Sequence, residues 1–551
     1  MDVEQVEQVA QVAQVAQVAR AASVSAAGDD RLSALVHEVR ARLHRPTDPL
    51  EIAALLESLG ITSEVAARRH GARDVFDLAE QIWKAWKRAP WPAPAPAPQP
   101  IARPPWRELI GDYARGLLTL ATIALLFSIT EAFRHAAPWT ARDVLALSLG
   151  LTGSQLVTNG FIQGASRRGV IYLSRGQGRA ASRFLRSALV PPAIALVVVG
   201  VLAASGALRL ALFDGYQLAI FVASFAGFGV LWLLYAVLSL LQTPGSFALG
   251  LAMGLASGLV VHWLGGVVFG PTTSLATPTL VGALAGVSWM ALAARRAFRR
   301  VAIGSPTRAP TLPATSYLLH EAIPYFVYGT VYMTFVFLPH VIGWVGSTSP
   351  GQTRLDAVGV LEVGLTVSLV PMLGVEGVAE RSVRLFWGHA RASLVGTPAE
   401  RPHEFARALK AFFYRRMRLY LASLAASTLV AAAVFRLWLH GGVLLQTLAV
   451  RSLPDELERV CLAGLLGYFF LGWSMYNCMF CVTLARPQMA TRALLWSLAA
   501  LVAVGLPLSI FGHYSLAPAA FVLGAVVLAI LSLTSAHRML GAADYYYFSS
   551  F

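Results

Sequence analysis

RRAFRRVAIGSPTRAPTLP, residues Arg295 to Pro313, is a basic, proline-containing break between two sets of long apolar stretches. Six such stretches precede it after Pro105, at 113–133, 144–164, 187–205, 217–241, 246–269 and 278–294. Six follow it, at 317–345, 355–375, 417–439, 460–484, 491–511 and 515–536. Each is near the ~20 residues a helix needs to cross about 30 Å of hydrocarbon. The expectation is an all-α, polytopic membrane protein of about 12 transmembrane helices. They form two six-helix lobes, 107–300 and 301–551, on the plan of an alternating-access transporter.

Composition agrees. Hydrophobic residues make up 56% of the 551 and charged residues only 13%, about half the charged share of a soluble domain. Mean hydropathy is +0.60. No soluble core buries that much apolar surface, so lipid must cover it. Lysine is rare beside arginine, which with the alanine excess reads as a high-GC bacterial genome.

The net charge of +15 raises the question of nucleic acid, and its distribution answers it. With the N-terminus placed inside, 26 Lys and Arg fall in the inner flanks and loops and 7 in the outer ones. That bias follows the positive-inside rule with both termini cytoplasmic and an even number of spans. The charge describes topology, not nucleic-acid binding, and the expected location is the bacterial cytoplasmic (inner) membrane.

The region before the first span has its own organisation. Within the low-complexity segment 1–30, Val6 to Ala19 repeats Gln-Val-Ala at a period of three, which gives no stable apolar face, so disorder or a frayed helix is expected. No basic and apolar leader is present, so no signal peptide is expected. Residues 31–89 read as a small helical cytosolic module. Asp48 before Pro49 is a helix start and Gly60 a stop. Ser63 and Asp74 are further candidate caps, and Val75, Phe76, Leu78, Ala79 and Ile82 form a candidate buried face. Such a module fits a recruitment role, with a cytosolic glycosyltransferase as one candidate partner. Residues 90–106, with WPAPAPAPQPIARPP from Trp91 to Pro105, form a semi-rigid polyproline II spacer.

Polar groups inside the spans are the candidates for function. Thr152, Gln155, Asn159 and Gln163 recur at helical spacing and stack on one face of the second span. Amides in hydrocarbon need partners, so this face points into the bundle or a wet cavity. It then either bonds helix to helix or meets a polar substrate. Tyr476 and Asn477 are further cavity candidates. Glu362, about two turns into the eighth span, and Asp356 are the ion-coupling candidates, with an ion pair from Glu362 to Arg354 or Arg436 as the competing role. His320 and Glu321 sit at an interface where solvation is easy, and no role is expected of them. Arg167, Arg168, Arg175 and Arg179 form a basic rim suited to an anionic polymer or a lipid diphosphate. Pro191-Pro192, Pro324, Gly329, Pro339, Pro371 and Pro507 are candidate kinks. Cys461, Cys478 and Cys481 share one span and read as small apolar groups rather than metal ligands. No metal, cofactor or catalytic constellation is expected, and outer loops this short argue against a membrane glycosyltransferase.

Several segments resemble a known family. GSQLVTNGFIQGASRRGVIYLSRGQ (Gly153 to Gln177), PYFVYGTVYMTFVFLPHVIGW (Pro324 to Trp344) and LDAVGVLEVGLTVSLVPMLGVEG (Leu355 to Gly377) are similar to segments of the multidrug/oligosaccharidyl-lipid/polysaccharide (MOP) flippase superfamily, with FFYRRMRLYL and the end Tyr545 to Phe548. Among its members the look is nearest the Pel-type exopolysaccharide exporters. The resemblance implies a MATE-like flippase moving a glycan or lipid-linked saccharide. The alternatives are a multidrug-type exporter or a non-transporting scaffold of envelope-polysaccharide assembly. Pro339-His340 stands where that family tends to carry an acidic–basic pair.

Overall fold

The computed structural model describes residue 32 and residues 35–39, 48–88, 141–174, 176–241, 243–269, 276–303, 315–346, 354–396, 402–440 and 454–549. The expected first span, 113–133, the repeat at 1–30 and the spacer lie outside them. The chain divides into two compact units, Met1–Ile101 and Ala102–Phe551.

In the first unit, helices α1 (Pro49–Ser58), α2 (Ser63–His70) and α3 (Val75–Arg88) enclose a small core of Ile52, Leu56, Val75, Leu78 and Ile82. Asp48 caps α1 by accepting the Glu51 N–H at 3.0 Å, and Gly60 ends its turn at φ +80°. Asp74 caps α3 through the Asp77 N–H at 2.8 Å. Asp77 in turn accepts the Arg73 N–H at 2.9 Å, and that bond first of all holds its carboxyl below the usual carboxylate range. Two sequence expectations are corrected. Ser63 is the first residue of α2 and accepts the Val75 N–H at 3.4 Å instead of capping its own helix. Phe76 is exposed, because it sits one residue off the Val75–Leu78–Ala79–Ile82 stripe.

The second unit is built from long helices. The first half has α4 (Ala141–Ser174), α5 (Gly178–Ala188), α6 (Val190–Arg209), α7 (Gly215–Leu240), α8 (Pro244–Phe269) and α9 (Ala276–Ile303). The second half has α10 (Thr315–Gly346), α11 (Arg354–Gly374), α12 (Glu376–Gly396), α13 (Pro402–His440), α14 (Pro454–Thr483), α15 (Pro487–Pro507), α16 (Ala517–Gly541) and the short α17 (Ala543–Phe548). Nine helical segments among the described residues are long and apolar enough to cross a membrane. Their outer surfaces carry exposed Val197, Leu202, Trp263, Leu429 and Leu437, which in water would be untenable as one continuous surface. This is a multi-pass membrane protein. α4 and α9, which carry the expected spans 144–164 and 278–294, are not among the nine; in α4, amides and hydroxyls dilute the hydropathy.

Helices of each half pack mainly on their own half: α4 on α7, α8 on α9, α14 on α11 and α16, α15 on α16. Their buried apolar clusters divide the same way. Glycines set the closest approaches. A Cβ at Gly282 would lie 2.6 Å from the Gly254 carbonyl, and one at Gly254 2.7 Å from the Gly282 carbonyl, so α8 and α9 touch backbone to backbone.

Two further expectations change. The segment 381–418, which lies almost wholly between the expected spans 355–375 and 417–439 and so is expected from the sequence to be a connection, is mostly helix. α13 alone has 39 residues, about 58 Å at 1.5 Å per residue, far beyond the hydrocarbon. Pro191-Pro192 do not kink a span but open α6, where a missing N–H costs nothing. Pro324 and Pro339 lie inside α10, which continues through both, and Pro507 ends α15 at a π turn, Leu508–Gly512.

Candidate functional site

One helix joins the halves. α4 lies against α7 of its own half through Gly150 and Gly153, where Phe225 approaches, and against α10 and α11 of the other half. Along α10 the seam is lined by small residues: Gly160 and Gly164 from α4, Gly329 and Ala322 from α10. A Cβ on Gly329 would meet Gln163 Cγ at 2.8 Å, the Asn159 carbonyl oxygen at 3.0 Å and Gly160 Cα at 3.1 Å. The axes approach this closely because the glycines at 160, 164 and 329 place no Cβ between the two backbones.

Two amides of α4, Asn159 and Gln163, fall on this seam. Asn159 Nδ2 donates to the Gly329 carbonyl at 2.9 Å, and Gln163 packs beside the same glycine. Thr152 returns its hydroxyl to the Ser148 carbonyl at 2.7 Å. Thr152, Gln155, Asn159 and Gln163 are all half-buried. They are neither sealed in a core nor fully open.

At the end of the seam where α4 begins, a polar clasp crosses between the halves. Glu362 of α11 is buried, and one carboxyl oxygen lies 2.9 Å from His340 Nδ1 of α10. The other accepts the Ser148 hydroxyl of α4 at 3.1 Å. His340 is buried too, against the rings of Phe337 and Trp344. The candidate carboxylate therefore has partners other than the expected arginines. Of the two arginines expected as its partners, Arg436 pairs with Glu458 at 2.8 Å, and the side chain of Arg354 lies outside the described residues. Asp356 lies on α11, with its side chain outside the described residues.

At the other end, Arg168 of α4 forms an ion pair with Glu321 of α10 and lies 5.1 Å over the Tyr317 ring. Arg167 reaches the Thr483 carbonyl of α14 at 3.5 Å. Glu321, of which no role was expected, is thus a partner across the seam. Arg179 donates to the Ala302 carbonyl at 3.3 Å, within its own half. Arg175 lies outside the described residues.

Tyr476 and Asn477 lie away from this seam. Tyr476 is fully buried, stacked on Tyr420 with ring centroids 5.0 Å apart. Asn477 is fully buried between α14 and α16, giving Nδ2 to Ser532 Oγ at 3.2 Å, while its Oδ1 finds no partner among the described residues. The three cysteines are buried and unbridged, and among the described residues no group of three metal-ligating side chains gathers. A shallow recess between α4, α5, α6 and α7 is apolar apart from Ser166.

Sequence reasoning missed the roles of Ser148, His340 and Glu321 and the packing role of the glycines, Gly329 standing there only as a candidate kink. Only the glycines carry a signal in the sequence itself: Gly160-x-x-x-Gly164 is a helix-packing pattern.

No protein-family model matches the chain, and no curated protein matches it in sequence. Solved structures match its fold. An outward-facing multidrug resistance MATE family transporter of the MOP superfamily matches at TM-score 0.54 and 11% identity, over 79% of this chain and 96% of that one. A single-substitution mutant of a Vibrio cholerae MATE transporter matches at TM-score 0.55 and 15% identity, over 80% and 98%. A MOP superfamily transporter from Pyrococcus furiosus, described as having reversed polarity in its binding pocket, matches at TM-score 0.53 and 12% identity, over 79% and 96%. The fold of this chain is that of the MATE transporters of the MOP superfamily. These neighbours are transporters, not enzymes.

Proposed function

We propose that this protein exports a polar glycan or lipid-linked saccharide across the bacterial cytoplasmic membrane by alternating access. The observation that carries the reading is the uncharged hydrogen-bonding face of α4, Thr152 to Gln163, two of whose amides, Asn159 and Gln163, lie on the line where the two halves meet. When the halves part along that line, amides and hydroxyls are uncovered, and these match sugar hydroxyls without requiring a charged substrate. The clasp at Ser148–Glu362–His340 and the ion pair Arg168–Glu321 stand at opposite ends of α4 and act as the two gates. Neighbours of the same fold have been captured both outward-facing and inward-facing, which supports a rocking motion here.

In this reading both termini are cytoplasmic and Arg167, Arg168, Arg175 and Arg179 lie at the substrate's entry side. Glu362, or Asp356 on the same helix, is the group whose charge couples ion movement to the clasp. The first unit recruits a cytosolic partner such as a glycosyltransferase through residues 31–89. A second reading, multidrug export, is favoured by the multidrug neighbour of the same fold. The test is a deletion strain in which secreted polysaccharide and dye efflux are measured together. Loss of polysaccharide with normal efflux is the expected result. Normal polysaccharide with altered efflux selects multidrug export, and no change in either selects a scaffold.

A further inference from the structure

The first half carries most of its positive charge at one end, where it has no acidic residue of its own; Arg142 and Arg209 stand at the other end, beside Asp143 and Asp214. Between residues 141 and 320 the only acidic residues are Asp143 and Asp214. Asp143 opens α4 and Asp214 caps α7, so both lie at the end where α4 starts and α6 finishes. The opposite end is formed by α5 and the last turns of α9. There Arg183, Arg186, Arg295, Arg296, Arg299 and Arg300 are all exposed. Among the described residues, none of the six forms an ion pair.

The two helices are held together so that these arginines form one surface. Ala180, Ala181, Phe184 and Leu185 of α5 bury against Ala294, Ala297 and Phe298 of α9. Arg186 lies 5.4 Å over the Phe298 ring and holds Ser182 Oγ at 3.0 Å. Arg179 ties the first turn of α5 to the Ala302 carbonyl near the end of α9. On α9 the arginines fall at i, i+1, i+4 and i+5, on one side of the helix and away from the buried stripe. Immediately beyond this basic surface come exposed Val190 and Ile194 on α6 and Leu292 on α9, which face lipid. The arginines therefore stand at headgroup level, where hydrocarbon gives way to phosphate.

We infer that α5 and the end of α9 form a binding surface for anionic phospholipid headgroups. A cluster of guanidinium groups with no internal counter-charge, bordering an apolar face, takes phosphodiesters from the leaflet and anchors the first half there. The positive-inside bias accounts for the sign of the charge at this end but not for its being gathered on two packed helices. Arg167 and Arg168 at the seam differ, being engaged by Thr483 and Glu321.

The experiment uses the full-length protein in a neutral detergent, titrated with phosphatidylglycerol or phosphatidylcholine, with bound lipid counted by native mass spectrometry. Two variants are compared. One carries Arg295→Gln, Arg296→Gln and Arg299→Gln; the other carries Arg391→Gln, Arg407→Gln and Arg415→Gln, three exposed arginines of the second half. Wild type should retain phosphatidylglycerol selectively and release it at about 0.5 M salt, where screening is nearly complete. The first variant should bind it at least about tenfold more weakly, and the second should match wild type. Equal losses in both variants would mean diffuse attraction to net charge and would overturn the proposal. So would salt-insensitive binding in wild type, a measurement that does not depend on either variant folding. Displacement of the lipid by equimolar glycerol phosphate would also overturn it, by showing an anion site indifferent to the membrane.

Discussion

Replacing Gly329 by leucine is expected to reduce transport at least about tenfold while leaving the protein inserted in the membrane. Two of the three atoms a Cβ would meet there, the Asn159 carbonyl oxygen and Gly160 Cα, are backbone and cannot swing aside. The helices must separate, and separation breaks the Asn159–Gly329 hydrogen bond. Overpacking of this kind costs about 1–3 kcal/mol. That is small beside the membrane insertion of long apolar helices but large for an equilibrium between two arrangements of one seam. Secreted polysaccharide, normalised to protein by immunoblot, is the readout. Alanine at the same position should fall between glycine and leucine, and full secretion by the leucine variant would mean that the halves need not close on each other there.

The second large effect is expected at the clasp. His340→Leu leaves Glu362 buried with only Ser148 to satisfy it, and breaking a buried ionisable pair costs about 3–5 kcal/mol. Glu362→Leu is costly for the complementary reason. Removing both partners together should be milder than the sum, because neither polar group is then left unmatched. A double-mutant cycle on thermal unfolding in lipid nanodiscs measures this, with a coupling of at least about 1 kcal/mol expected. Strict additivity would show that the two side chains are neighbours without being partners.

The apolar stretches were legible because hydropathy is a local property, and eleven of the twelve lie on described helices, with only 113–133 outside them. The starts at Asp48 and Asp74 were legible for the same reason, since a cap is decided by the next three residues. Partners were not. Ser148 and Glu362 are 214 positions apart, and no spacing rule connects them. Arginine is the usual counter-charge for a carboxylate inside a membrane, whereas Glu362 receives a histidine from the next helix upstream. Interfacial solvation makes a lone carboxylate such as Glu321 cheap, and that argument fails once α4 brings Arg168 to it. The length of α13 was hidden by its arginines, which read as loop on a hydropathy scale but prolong a helix into water without difficulty.

The central claim is that the two halves come apart along α4 and that this motion is the transport step. Cysteines placed at Arg168 and Glu321, one on each side of the seam, can be locked by oxidation and freed by reductant, in a background lacking Cys461, Cys478 and Cys481. Locked protein in intact cells should export nothing, and reductant should restore export to the level of the unlocked pair. Export at the unlocked rate with the cross-link fully formed would contradict the claim.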